Sequence, residues 1–165
     1  MTMAKGISSG YVPLGAMGCT DEVCAPVDIF QHLHTYANHP VSCAAALMNI
    51  EIMKREKLVE NAQSMGKYFL EKLKGLERHP MVGEARGTGL WTAIDLTSDK
   101  KTRALCPTEN MNNIIARAKA KGLIIKTMGH ALEFAPPLII TKAEVDEAVR
   151  ILDQCFTEEE KAMGF

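Results

Sequence analysis

Lys5 is the lone basic residue among the first 53, set in the small and apolar run Met3-Ala4-Lys5-Gly6-Ile7 with no acid nearer in sequence than Asp21. Desolvation disfavours an ammonium, and the amine it frees is a nucleophile that can add to a carbonyl and form a Schiff base. The competing reading is an ordinary solvated lysine near a chain terminus, because perturbed lysines mark functional sites only statistically.

Thr35 comes shortly before Pro40, whose preset backbone angle suits the first turn of a helix. The free N–H groups and positive dipole end of that helix would receive an anion, and a threonine hydroxyl beside them adds one donor for a phosphate. A plain turn residue at a helix entry explains Thr35 equally well from spacing. His32, His34 and His39 share the same loop, but no cysteine or carboxylate completes a recognised ligand spacing, so no metal is expected. Arg86, in Arg86-Gly87-Thr88-Gly89-Leu90, has the planar fork that grips a carboxylate, or it braces a strand through backbone carbonyls, the role favoured here. The glycines there match neither G-x-G-x-x-G nor the phosphate loop ending in G-K, which removes the nucleotide-binding readings.

These groups need elements to hold them. Residues 2–18 alternate glycines with short apolar groups, as expected of a strand entering tight turns. A helix is predicted over about 40–55, with Val41, Ala44, Ala45, Met48 and Ile52 on one stripe and small residues elsewhere, so it should be mostly buried. Leu58, Ala62, Met65, Phe69, Leu73 and Leu76 recur at helical spacing up to Pro80. Residues 82–96 read as a strand preceded by glycine turns, and 97–107 as a polar loop. Thr108 is placed to cap a helix bearing Met111, Ile114, Ile115 and Ala118, which Gly122 stops. Strands over 123–128 and 131–135 flank Gly129 as a hairpin. The pattern Thr141-Lys-Ala-Glu144 opens a last helix through Val145, Val149, Leu152 and Phe156. Residues 56–165 are therefore expected to form an α+β layer, with helices on one face of a small, mainly antiparallel sheet.

With 165 residues, 47% of them hydrophobic, and 19 basic against 20 acidic side chains, the length suits one soluble globular domain and the balance leaves no electrostatic footprint for nucleic acid or membrane. No apolar run approaches the roughly 20 residues of a spanning helix. The five cysteines form no C-x-x-C pair and no secretory leader precedes them, so a cytoplasmic location is expected, with the cysteines as packing residues. Charge is uneven: residues 1–53 carry only Lys5, Asp21, Glu22, Asp28 and Glu51. Charged side chains are the ones least often fully buried, so this third is expected to pack against something large, and a truncated chain becomes a hypothesis.

Four ordered motifs resemble one family, the pyridoxal-phosphate-dependent class III, or omega-type, aminotransferases. Thr2-Met3-Ala4-Lys5-Gly6 with Gly10-Tyr11-Val12-Pro13-Leu14-Gly15-Ala16 is similar to the segment bearing that family's cofactor lysine. His34-Thr35-Tyr36-Ala37-Asn38-His39-Pro40 is similar to the loop whose threonine reaches the cofactor phosphate of the neighbouring subunit. Arg86-Gly87-Thr88-Gly89-Leu90 and Phe134-Ala135-Pro136-Pro137-Leu138 resemble two signatures nearer the C-terminus.

The resemblance implies an α/β chain of the fold type I PLP-dependent transferases. Residues 1–55 would be the end of the large cofactor domain and 56–165 the small C-terminal α+β domain. It implies pyridoxal 5'-phosphate as cofactor, Lys5 as its anchor and proton carrier, Thr35 as a phosphate ligand across a homodimer, and a small-molecule amine and keto acid as substrates. It also implies a chain less than half the family length, without the phosphate-cradling loop, the ring-facing aromatic and the aspartate at the pyridine nitrogen; Asp21 and Asp28 follow the lysine and do not match that aspartate. Two positions depart from common patterns and are candidate substrate contacts. Glu133 stands where the ornithine-type branch often carries a carboxylate-binding arginine, and Lys126 where amine:pyruvate enzymes often carry a mobile one. A primary amine or omega-amino acid donor with an acceptor such as pyruvate is the resulting expectation. Pairing of Glu133 with Lys126 across the hairpin, without substrate contact, is the alternative. Two other functions stay open: a nonenzymatic fragment or interaction domain, and an aminomutase or decarboxylase of the same fold.

Overall fold

The computed structural model describes residues 1–29 and 34–164, which fall into two units, Met1–Lys57 and Leu58–Phe165. In the first, β1 (Thr2–Met3) pairs antiparallel with β2 (Ala16–Met17), and the chain between them makes a 3-10 turn at Lys5–Ile7. The short α1 (Asp21–Cys24) follows, then α2 (Pro40–Arg55). Pro40 opens α2, His39 Nδ1 accepts the Ser42 amide at 3.4 Å, and Lys54 and Arg55 sit in the last turn, where the helix dipole favours cations.

The expectation that α2 is mostly buried is corrected within this chain. Only Ser8, Ser42 and Ala46 are buried among the described residues of this first unit, while Tyr11 is 85% exposed, Tyr36 84% and Leu47 68%. The unit is too small to supply apolar neighbours for all sides of α2.

The second unit is an α+β layer. Its elements in order are α3 (Leu58–Gly75), β3 (Val82–Thr88), β4 (Trp91–Asp99), β5 (Ala104–Leu105), α4 (Thr108–Ala120), β6 (Lys126–Met128), β7 (Ala131–Phe134) and α5 (Lys142–Met163). The sheet runs β3-β4-β7-β6, every pairing is antiparallel, and β5 adds to β4. Phe69, Leu73 and Leu76 meet Ile94, Leu96, Leu132, Ile114, Leu152 and Phe156 in one core. Alternation along β4 and β7 then turns Trp91, Ala93, Asp95 and Glu133 to the helix-free face.

The glycine turns expected before one strand are instead strand themselves: residues 82–88 form β3, paired with β4 through Arg86↔Ala93 and Thr88↔Trp91. A bulge between Val82 and Glu84 lets Val82 and Ala85, three apart, both reach the core. Gly87 is needed for contact, since a Cβ there would lie 2.5 Å from the Trp91 carbonyl oxygen. The polar loop is likewise shorter than expected, because β4 runs to Asp99 and β5 returns against it. Thr108 is the first residue of α4 rather than its cap, which is Pro107, and residues 123–125 precede the hairpin strand that starts at Lys126. At α5, Thr141 and Glu144 form the full reciprocal capping box.

Gly66 on α3 faces the β3–β4 turn so closely that a Cβ would stand 2.3 Å from the Gly89 carbonyl. Because the obstacle is backbone, Gly66→Ala should destabilise this unit by about 1–3 kcal/mol despite alanine's better helix propensity. Urea unfolding checks this; an unchanged or raised midpoint would contradict it.

Candidate active site

Lys5 begins the turn that follows β1, with φ +50°, in the left-handed region that costs a non-glycine residue about 1–2 kcal/mol. The turn is pinned from two sides. Buried Ser8 donates its hydroxyl to the Val12 carbonyl at 2.7 Å, and Asn49 of α2 donates its amide to the carbonyls of Gly6 at 2.8 Å and Ile7 at 3.1 Å. The Lys5 side chain is exposed, so the desolvation expected from its apolar sequence context is not present within this chain, and no hydrogen bond or ion pair engages its amine among the described residues. A held backbone carrying an unpartnered primary amine suits attachment of an aldehyde. The sequence offers little signal for Asn49, a single amide among the mostly small and apolar residues 41–50.

Loss of two carbonyl contacts of this kind costs about 1 kcal/mol in net terms. Asn49→Ala should therefore speed hydrogen exchange of the Ile7 and Ser8 amides, which close the turn onto Ala4 and Lys5, by about fivefold. Unaltered exchange would show that Asn49 does not hold the turn.

Thr35 lies in the turn 35–38 that leads into α2, closed by Ala37 N–H donating to the His34 carbonyl at 3.0 Å, and its side chain is exposed. No hydrogen bond joins Thr35 to the Lys5 turn among the described residues. Asn49, which touches the Lys5 turn, lies nine residues along α2 from Pro40, a rise of about 14 Å. His39 is occupied as the α2 cap, no metal-holding group of three ligands occurs among the described residues, and His32 lies outside them.

In the second unit Lys126 and Glu133 do meet, as direct partners in the β6–β7 register, with Nζ 2.7 Å from Oε2. Trp91 Nε1 donates to the other Glu133 oxygen at 2.6 Å. Lys126, then Trp91, hold the Glu133 carboxyl below the ordinary glutamate range. Trp91 was also missed: pairing across strands fixes it and sequence spacing does not. Arg86 braces the sheet by an ion pair with Asp95, not through backbone carbonyls as expected, and that partner raises its already high pKa. A cleft of about 680 Å³ opens beside Phe69, Ile125, Lys126, Glu133, Pro136 and Ile140.

The motifs, the amine-bearing turn and the antiparallel α+β layer define one class of protein. The aminotransferase class-III family model matches residues 1–156, and the chain belongs to that family. It is 36% identical to the taurine–pyruvate aminotransferase of Bilophila wadsworthia over 99% of this chain and 40% of the relative. It is 35% identical to the putrescine–pyruvate aminotransferase of Pseudomonas aeruginosa over 96% and 36%. Among solved structures, an (S)-enantioselective omega-transaminase from Thermomicrobium roseum superposes with a TM-score of 0.85 at 40% identity, covering 96% of this chain and 37% of that one. A PLP-bound amine transaminase from an uncultivated Pseudomonas species gives a TM-score of 0.88 at 35% identity, over 95% and 38%. The fold is that of the type I PLP-dependent transferases, and this chain spans about 40% or less of these relatives' lengths.

Proposed function

We propose that this chain is the part of a transaminase that carries the reactive lysine and the small domain. Residues 1–55 would be the end of the large cofactor domain, and 56–165 the C-terminal domain. The reaction would move an amino group from a primary amine or omega-amino acid to a keto acid such as pyruvate. The observation that carries it is the exposed Lys5 amine, without a partner among the described residues, on a turn fixed by Ser8 and Asn49.

Bound pyridoxal phosphate would supply an aldehyde and an electron-withdrawing ring. Lys5 would hold it covalently, give it up to the incoming amine, and then carry the proton removed from the donor's Cα. Thr35 would donate its hydroxyl to the phosphate. The family resemblance places that phosphate in the neighbouring subunit's site, and hence implies a homodimer.

Lys126 and Glu133 remain the candidate substrate contacts. Their mutual pairing favours the second reading, in which they neutralise each other and leave the donor carboxylate ungripped. That suits amines and omega-amino acids, and the taurine and putrescine relatives lie on the same side. Glu133→Arg should then leave the preference between α-amino acids and amines within about twofold, although it breaks the pairing with Lys126 and the Trp91 hydrogen bond. A gain of tenfold or more for α-amino acids would restore the substrate-facing role.

Titrating the protein with pyridoxal phosphate and then with an amine tests the main reading. A yellow absorbance band that shifts on amine addition supports it. A folded protein with no new band supports the nonenzymatic reading instead, and product analysis separates transamination from isomerisation or decarboxylation.

A further inference from the structure

Cys19 precedes α1 and Cys24 is its last residue, with their sulfurs 2.9 Å apart and both side chains exposed. That is within about 1 Å of a disulfide bond length. Backbone bonds fix both ends of the pair. Gly18, next to Cys19, exchanges hydrogen bonds with Met1 at 2.7 and 2.9 Å, and the Cys24 amide donates to the Thr20 carbonyl at 3.1 Å. The other cysteines are placed differently: Cys43 is half-buried, and Cys106 and Cys155 are buried in the second unit.

We propose that Cys19 and Cys24 form a redox-modification site, a dithiol that a small uncharged peroxide or disulfide oxidises to an intramolecular disulfide. With hydrogen peroxide, one sulfur attacks a peroxide oxygen as a thiolate, the O–O bond breaks, and a sulfenic acid and hydroxide result. The second thiolate displaces hydroxide from that sulfur and the S–S bond forms. Each displaced hydroxide takes up a proton released by a thiol. In sum two thiols and one peroxide give one disulfide and two waters, with two electrons passing from sulfur to oxygen. Two features of the surroundings shape the reaction. Asp21 and Glu22 lie between the cysteines, so an anionic oxidant such as glutathione disulfide is repelled where a neutral one is admitted. The hydrogen bond with Cys24 also raises the Cys19 pKa, so oxidation should accelerate as pH rises. None of this depends on the transaminase reading.

The test equilibrates the purified chain with reduced and oxidised dithiothreitol, in native buffer and in concentrated urea, then alkylates the remaining thiols and maps peptides by mass. The expected result is a Cys19–Cys24 crosslink favoured at least about tenfold more in native buffer than in urea, about 30 mV in a two-electron couple, with Cys43 alkylated. Cys24→Ser should abolish the crosslink and Cys43→Ser should leave it unchanged. Equal propensities in native buffer and urea would overturn the proposal, because sequence spacing alone would then account for the bond. A crosslink that forms between chains, or that persists in Cys24→Ser, would overturn it as well.

Discussion

Lys5→Ala is expected to abolish covalent capture of pyridoxal phosphate and to lower transamination by at least about 10²–10⁴-fold, the range for loss of a positioned proton carrier alone. Lys5 sits at positive φ in a segment held by Ser8 and by the Asn49 amide, so its amine leaves a fixed backbone point. Alanine keeps most of that backbone and removes the only lysine or arginine in the first 53 residues. Lys5→Arg separates charge from chemistry: the guanidinium remains protonated at any accessible pH and cannot serve as nucleophile or base. Both variants should fold as the parent does and both should be inactive. Substantial turnover in Lys5→Arg would mean that positive charge, and not an amine, is what position five supplies.

The second large effect concerns stability. Glu159 is 1% exposed, yet its carboxylate receives Asn110 at 2.8 Å, Asn113 at 3.0 Å and Arg117 Nε at 3.2 Å, tying α5 to α4. Burial pushes its pKa up, and the hydrogen bonds from Asn113, Asn110 and Arg117 together outweigh burial and bring it below the usual glutamate value. A carboxyl whose folded pKa is depressed adds stability above its unfolded value, near 4.3, and loses it as pH falls from there through the folded pKa. Arg117→Met keeps the stem and removes the one cation paired with this carboxylate among the described residues. At pH 7 the second unit should lose about 1–3 kcal/mol, the cost of removing one charged hydrogen-bond partner from a buried carboxylate that keeps two others. The deficit should shrink toward acid pH as Glu159 takes up a proton, and Glu159→Gln in the same chain should recover most of it. Urea titrations at pH 7 and pH 4.5 measure both. A deficit that does not change with pH would contradict the assignment of the cost to the carboxylate.

What was legible in the sequence depended on range. The α3 periodicity and the Thr141–Glu144 box are local patterns, and both elements form where the spacing places them. Glycines misled, because a glycine that relieves a close contact looks the same as one that makes a turn. Gly83 and Gly87 belong to a strand, where one lies at a bulge and the other admits the Trp91 backbone. Lys5 stood out through the absence of other charges around it, a feature visible in one dimension. The groups that fix or pair with the candidate residues, Asn49 for the Lys5 turn and Trp91 for Glu133, lie about 40 residues away and become visible only when the chain folds. The same holds for His79. It reads as an ordinary residue before a proline, yet it is buried with Nδ1 2.9 Å from Glu160 and Nε2 2.6 Å from Asp153, and it fastens the end of α5 to the entry of β3. Capping and periodicity act within a few residues, whereas ion pairs and carbonyl anchors need the tertiary fold to bring their partners together.

Reductive trapping addresses the central claim most directly. The protein is incubated with pyridoxal phosphate, reduced with borohydride, digested, and its peptides are mapped by mass. The account predicts one dominant phosphopyridoxyl label on Lys5, displaced when a primary amine is added before reduction. A label concentrated on another lysine, or spread evenly over the exposed ones, would contradict it.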